Sequence, residues 1–108
     1  MREFRDYLKE KLNDKEEAIA YLNTALEEYE KDNDVEAFLL ALRTVAETQG
    51  GIGELAKKTN LNRQHLYRSL SKHGNPKLNT LDTVLHGLGF RLSIIPLDLN
   101  SPSNASRL

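Results

Sequence analysis

The chain has no cysteine, which removes disulfides and thiolate metal sites and fits a reducing compartment. It also lacks any long apolar run. The opening Met1-Arg2-Glu3-Phe4-Arg5-Asp6 is dominated by charge, so neither a signal peptide nor a membrane helix is expected and the cytoplasm is the expected location. There is no Walker-type loop and no Gly-x-Gly-x-x-Gly; Gly50, Gly51 and Gly53 lie too close together and follow no strand, so they read as turn glycines. The three histidines, His65, His73 and His86, have no HExxH spacing, which argues against a metal. Carboxylate pairs such as Glu16-Glu17 and Glu27-Glu28 fall on a solvated helix face without an implied pocket. No enzyme and no cofactor are expected. A chain of 108 residues supplies one small core, with room for a helical extension.

What the chain does have is helical periodicity and a divided charge. Phe4, Tyr7, Leu8 and Leu12 share one face of a short helix that Asn13-Asp14 interrupts. Asp14 is a natural N-cap for a second helix, with Glu16 and Glu17 in its first turn and Ile19, Leu22, Leu26 and Tyr29 at helical spacing. Asn33 and Glu36 have capping-box spacing for a third helix carrying Phe38, Leu39, Leu42, Val45 and Ala46, ended by Gly50-Gly51. Thr80 is expected to cap a later helix bearing Leu81, Val84, Leu85 and Leu88, closed by Gly89.

Between these helices, Ile52 to Leu70 reads as a helix-turn-helix. Leu55 and Ala56 face inward on a short helix over Gly53 to Thr59, and a small residue at Ala56 allows a close crossing. The turn falls at Asn60-Leu61; asparagine tolerates a left-handed backbone nearly as well as glycine does. Asn62 caps a second helix, Asn62 to Ser71, held down by Leu66 and Leu70. Its polar face carries Arg63, Gln64, His65 and Arg68. Arginine pairs with guanine O6 and N7 and glutamine with adenine N6 and N7, so Arg63 and Gln64 are the leading candidates for base contact, followed by Asn62, His65 and Arg68.

Charge favours the same reading. Residues 1–36 hold six Lys/Arg against twelve Asp/Glu, a net of −6, and residues 37–108 hold nine against four, a net of +5. From Ile52 to Lys77 the six cations Lys57, Lys58, Arg63, Arg68, Lys72 and Lys77 face Glu54 alone, again +5. Lys57, Lys58, Lys72 and Lys77 suit phosphate contact, which positions a protein on a duplex and makes affinity salt-dependent. The bland alternative is a solvated helical hairpin.

Phe90-Arg91-Leu92-Ser93-Ile94-Ile95 changes to alternation and is read as one strand ended by Pro96. A lone strand cannot satisfy its own backbone. Its simplest partner is the same strand of a second copy, with Phe90, Leu92, Ile94 and Ile95 along the pairing; packing as an extended tail, or against an N-terminal extended piece, is the alternative. The fold expected is thus mainly α: five to six helices and a C-terminal β-strand that pairs across a dimer. Residues 1–33 form an acidic helical extension, 34–97 the DNA-binding domain with its strand, and 98–108 a mobile tail.

The elements Ala41-Leu42 to Gly50, Gly53-Glu54-Leu55-Ala56, Leu66-Tyr67-Arg68-Ser69-Leu70-Ser71, Gly74-Asn75-Pro76, Thr80-Leu81 and Leu88-Gly89-Phe90-Arg91-Leu92 carry a resemblance. Together with the upstream Tyr21-Leu22 to Ala25-Leu26-Glu27, they resemble the probable addiction-module antidote proteins, the HigA-like antitoxins with a lambda-repressor-like domain. Two positions depart from the pattern: Asn60 replaces the usual turn glycine, and Ser69 stands where an apolar residue is common. The resemblance implies a homodimer that binds a palindromic operator, represses its own operon, and neutralises a cognate toxin, typically a small basic RNase of the RelE-like type. The acidic first third would complement such a partner, and a merely solvated helix explains the same charges. A stand-alone prophage-type repressor, or a protein-interaction module with a degenerate helix-turn-helix, are the remaining readings.

Overall fold

A computed structural model describes residues 2–97; the tail expected over 98–108 lies outside the described residues. Six helices follow in order: α1 (Arg2–Leu12), α2 (Lys15–Asp32), α3 (Glu36–Thr48), α4 (Ile52–Thr59), α5 (Arg63–Ser69) and α6 (Leu78–Leu88). α3 is the central element. Phe38, Leu39, Ala41, Leu42, Val45 and Ala46 are all buried along it, a stripe wide enough to serve two sets of neighbours. α1 and α2 pack on it from one side, while α4 joins it to α5 and α6 on the other. One continuous core results, from Leu12, Ala18 and Leu22 at the amino-terminal end to Leu66, Leu70, Val84 and Leu88. Leu39, Leu42, Val45, Leu66, Leu70 and Val84 are fully buried, each contributing about 1.5–3 kcal/mol of hydrophobic stabilisation.

The helix ends show how side chains set the boundaries. Asp14 caps α2 as its spacing predicts, its Oδ1 accepting the Glu16 N–H at 2.8 Å. The third helix begins differently from the expectation. Asn33 is the left-handed C-cap of α2, with φ 59°, and its N–H donates to the Tyr29 carbonyl. Val35 is the N-cap of α3 and makes no side-chain cap bond; one residue earlier, the Asp34 Oδ1 accepts the Glu36 N–H at 3.0 Å. α6 likewise starts two residues before Thr80: its N-cap is Lys77, in extended conformation and without a side-chain cap bond.

Three helix ends close in the same way. After α3, α4 and α6 the Gly51, Leu61 and Phe90 N–H groups donate back five residues to the Ala46, Ala56 and Leu85 carbonyls, at 2.9, 3.2 and 2.8 Å. The residue before each of these is left-handed: Gly50, Asn60 and Gly89 have φ of 107°, 60° and 97°. This is the Schellman arrangement, in which the following apolar residue packs back on the helix; Leu61 and Phe90 do pack on the core.

The cap explains part of what became of the expected strand. Phe90, placed on the strand by alternation, belongs to the closure of α6 instead. The rest of the segment, as far as Leu97, forms no β-bridge among the described residues, because a ladder needs a second strand and this helical chain offers none. Leu92, Ile94 and Ile95 are 41%, 97% and 79% exposed.

Gly87 has a different reason to be present. A Cβ there would stand 2.6 Å from the Thr59 Cγ2 and 2.7 Å from a Leu55 methyl, so α6 crosses α4 so closely that a side chain there would have to displace both methyls. That contact offsets the helix-propensity cost of glycine, about 1 kcal/mol.

Candidate nucleic-acid interface

α4 and α5 are joined by the three residues Asn60, Leu61 and Asn62. Asn60 carries the turn in the left-handed region, φ 60° and ψ 27°, which asparagine enters at lower cost than other residues with a Cβ. Asn62 is extended, and its Oδ1 accepts the His65 N–H at 2.9 Å. One of the free donors at the start of α5 is thereby satisfied. The side chain's oxygen is committed to the cap, leaving its Nδ2 group for any outside partner.

α5 has seven residues and needs holding from outside, since so short a helix is not stable alone. Leu66 and Leu70 fix its inner side, both at 0% exposure. Arg43, the basic residue in the middle of the apolar α3, donates from Nη1 to the Leu70 carbonyl at the far end of α5. Gly74 closes the loop over the same end; a Cβ on it would collide with the Ser69 carbonyl and stand 2.8 Å from that of Arg68. These anchors leave Arg63, Gln64, His65, Tyr67 and Arg68 exposed.

Helical periodicity places Gln64 and Arg68, four apart, farthest from the Leu66 and Leu70 seam. His65 lies on one flank. Arg63 and Tyr67 lie on the other, with the Arg63 guanidinium carbon 5.7 Å from the Tyr67 ring centroid. The same carbon would be 3.7 Å from a Cβ on Gly53. The guanidinium therefore lies against the start of α4, within ordinary van der Waals range of the Gly53 position. An open groove of about 630 Å³ follows this edge, lined by Gly50 to Glu54, Ala56, Lys57, Leu61, Arg63 and Tyr67.

The candidate phosphate-contacting lysines fall in three places. Lys57 lines the groove with Arg63, and its Nζ is 3.7 Å from the Glu54 carboxylate on an exposed surface, an ion pair too weak to neutralise it. Lys58 turns instead toward α6, beside Gly87 and Leu88. Lys72 and Lys77 are exposed on either side of the loop between α5 and α6.

Three contributors were not singled out from the sequence. Tyr67 could have been, since an aromatic residue one turn after Arg63 on a polar face is a visible signal. Arg43 could have been suspected as a lone cation within an apolar helix. Gly53 could not, because its role depends on how closely α5 approaches α4.

The arrangement is a short, well-anchored helix presenting amide, imidazole, guanidinium and phenol groups on one convex side, with lysines at its margins. Among the described residues no helix is long and apolar enough to cross a membrane. No solved structure matches the chain. An uncharacterized protein of Haemophilus influenzae is 31% identical over 85 residues, which is 79% of this chain and 82% of that protein. A family model described as "Probable addiction module antidote protein" matches residues 3–96. With a match that runs from α1 through α6, the chain belongs to the family of probable addiction module antidote proteins.

Proposed function

We propose that this protein is the antitoxin of a type II toxin–antitoxin module: a cytoplasmic, non-enzymatic homodimer that binds a palindromic operator through α5, represses its own operon and neutralises a cognate RelE-like RNase. The observation that carries the DNA-binding part is the exposed face of α5. Arg63, Gln64, His65 and Arg68 all face solvent there, within a segment of net charge +5 between Ile52 and Lys77. Gln64 and Arg68 are the central readers in this proposal, Arg63 reads from the edge beside Tyr67, and His65 and the Asn62 amide reach the flanks. Lys57, Lys58, Lys72 and Lys77 contact phosphates.

The homodimer rests on the segment after Phe90. Its backbone has no ladder partner among the described residues and its side chains Leu92, Ile94 and Ile95 stand in solvent. Antiparallel pairing with the same segment of a second copy supplies both hydrogen bonds and apolar cover. Such a dimer sets its two α5 helices roughly 34 Å apart, one duplex turn.

Retention of the protein's own upstream DNA, titrated over a range of salt, tests the reading. Gln64→Ala and Arg63→Ala should each cost about 1–3 kcal/mol on the specific site, whereas Lys57→Ala should weaken all sequences alike and lower the salt slope by about 1. No retention of any duplex at low ionic strength overturns DNA binding.

A further inference from the structure

α2 leaves two aliphatic side chains only partly covered by the fold. Ala18 and Leu22 are its buried residues, turned toward the neighbours on which α2 packs, α1 and α3. Ile19 and Leu26 stand seven apart, two turns on one face, and remain 44% and 38% exposed. Glu16, Asn23 and Glu27 are exposed beside them, together with one cation, Lys15.

We propose that this face of α2 docks the protein partner of the antidote, and that the partner meets it with a basic surface around an apolar cleft. The inference rests on the antidote reading above and adds to it where the partner sits and what its surface is made of. Charge decides among occupants. Residues 1–36 carry a net of −6, so a nucleic acid is repelled, and a second copy meeting the same face across a two-fold axis would set one acidic face against another. A basic protein is attracted here and repelled from the half that carries +5. Carboxylates around two aliphatic side chains give such a partner an apolar centre with a charged rim, the usual anatomy of a specific interface. Because α2 packs on α1 and α3 whereas α5 packs on α4, the two surfaces lie on different parts of the fold. Partner and duplex can therefore be held at once.

The test uses the full chain co-purified with the protein encoded by the neighbouring reading frame, followed by titration of the purified pair. Glu16→Lys with Glu27→Lys, and separately Ile19→Ser with Leu26→Ser, should each weaken capture roughly 10-fold or more. Both variants should keep the helical circular dichroism and the duplex retention of the parent protein. Arg63→Ala should capture the partner normally, and adding duplex to the preformed pair should give a ternary complex. Capture undiminished in both double variants overturns the α2 surface while leaving the antidote reading in place. A parent protein that captures nothing overturns the antidote reading itself, and the surface with it.

Discussion

α2 and α5 are the longest and the shortest helices among the described residues, with 18 and seven residues, and they are stabilised in opposite ways. α2 has enough turns to supply most of its own hydrogen bonds, and its Asp14 cap and left-handed Asn33 end complete them locally. It rests on the core through Ala18 and Leu22. α5 borrows nearly everything. Its inner side is fixed by Leu66 and Leu70, one end by Asn62 and the other by Arg43 and the Gly74 loop. A long helix can spend its surface on acidic side chains that keep partners of one sign away. A short one held from outside can present nearly all of its outer residues at fixed positions, as groove reading requires.

The most forceful way to break this comparison is to remove the anchor. Leu66→Ala should cost about 2–5 kcal/mol in urea unfolding, because the side chain is fully buried and the cavity it leaves cannot collapse against rigid neighbours. A cost below about 1 kcal/mol would mean that α5 is not held by this contact. Gly74→Ala comes next. Its Cβ meets backbone rather than a movable side chain, and overpacking of this kind costs about 1–3 kcal/mol. Duplex retention should fall in this variant as well, since the Cβ would press on the Ser69 and Arg68 carbonyls at the end of α5.

Caps sharpen the comparison, because the same chemistry serves both helices. Asn62→Ala should cost about 1 kcal/mol and should also weaken duplex binding, since α5 has no spare turn to lose. Asp14→Ala removes an equivalent hydrogen bond from α2, and its stability cost should be equal or smaller, with duplex binding unchanged. Equal losses of DNA affinity in the two variants would contradict the division of roles.

How far these features were legible follows from the range of the interaction involved. Asn62, Asp14 and the left-handed Asn60 act within four residues of themselves, and each could be placed from the sequence. Where two polar residues competed for one role, local reasoning chose wrongly: Asn33 and Asp34 both suit a cap, and only the exit geometry of α2 decides that Asn33 takes the left-handed turn. Thr80 suited an N-cap, but Lys77 and Leu78 start the helix earlier. The Phe90 segment alternates as a strand does, and the described residues hold no strand for it to join. Leu55 and Ala56 were readable as inward-facing, whereas the fit of Gly87 against Thr59 and of Arg63 over Gly53 arises only when separate helices meet. The polar face of α5 was legible in composition; which of its residues stand outermost depended on where Leu66 and Leu70 are buried.

The gentlest probe concerns the two asparagines that end α2 and α4. Both sit in the left-handed region, Asn33 at φ 59° and Asn60 at φ 60°, and neither side chain needs to be there for a hydrogen bond that closes the helix, since the backbone N–H makes it. Glycine enters this region without the penalty of a Cβ and loses more freedom on folding. The two effects partly cancel, so Asn33→Gly and Asn60→Gly should each stabilise the chain by no more than about 1 kcal/mol. Their consequences for function should differ. The α2 end bears no candidate DNA residue, and Asn33→Gly should leave duplex affinity untouched. Asn60 sets the angle at which α5 leaves α4, and if asparagine fits that angle as well as glycine would, Asn60→Gly should leave it untouched too; a gain in affinity there would show that the turn is held slightly away from its best geometry for reading DNA.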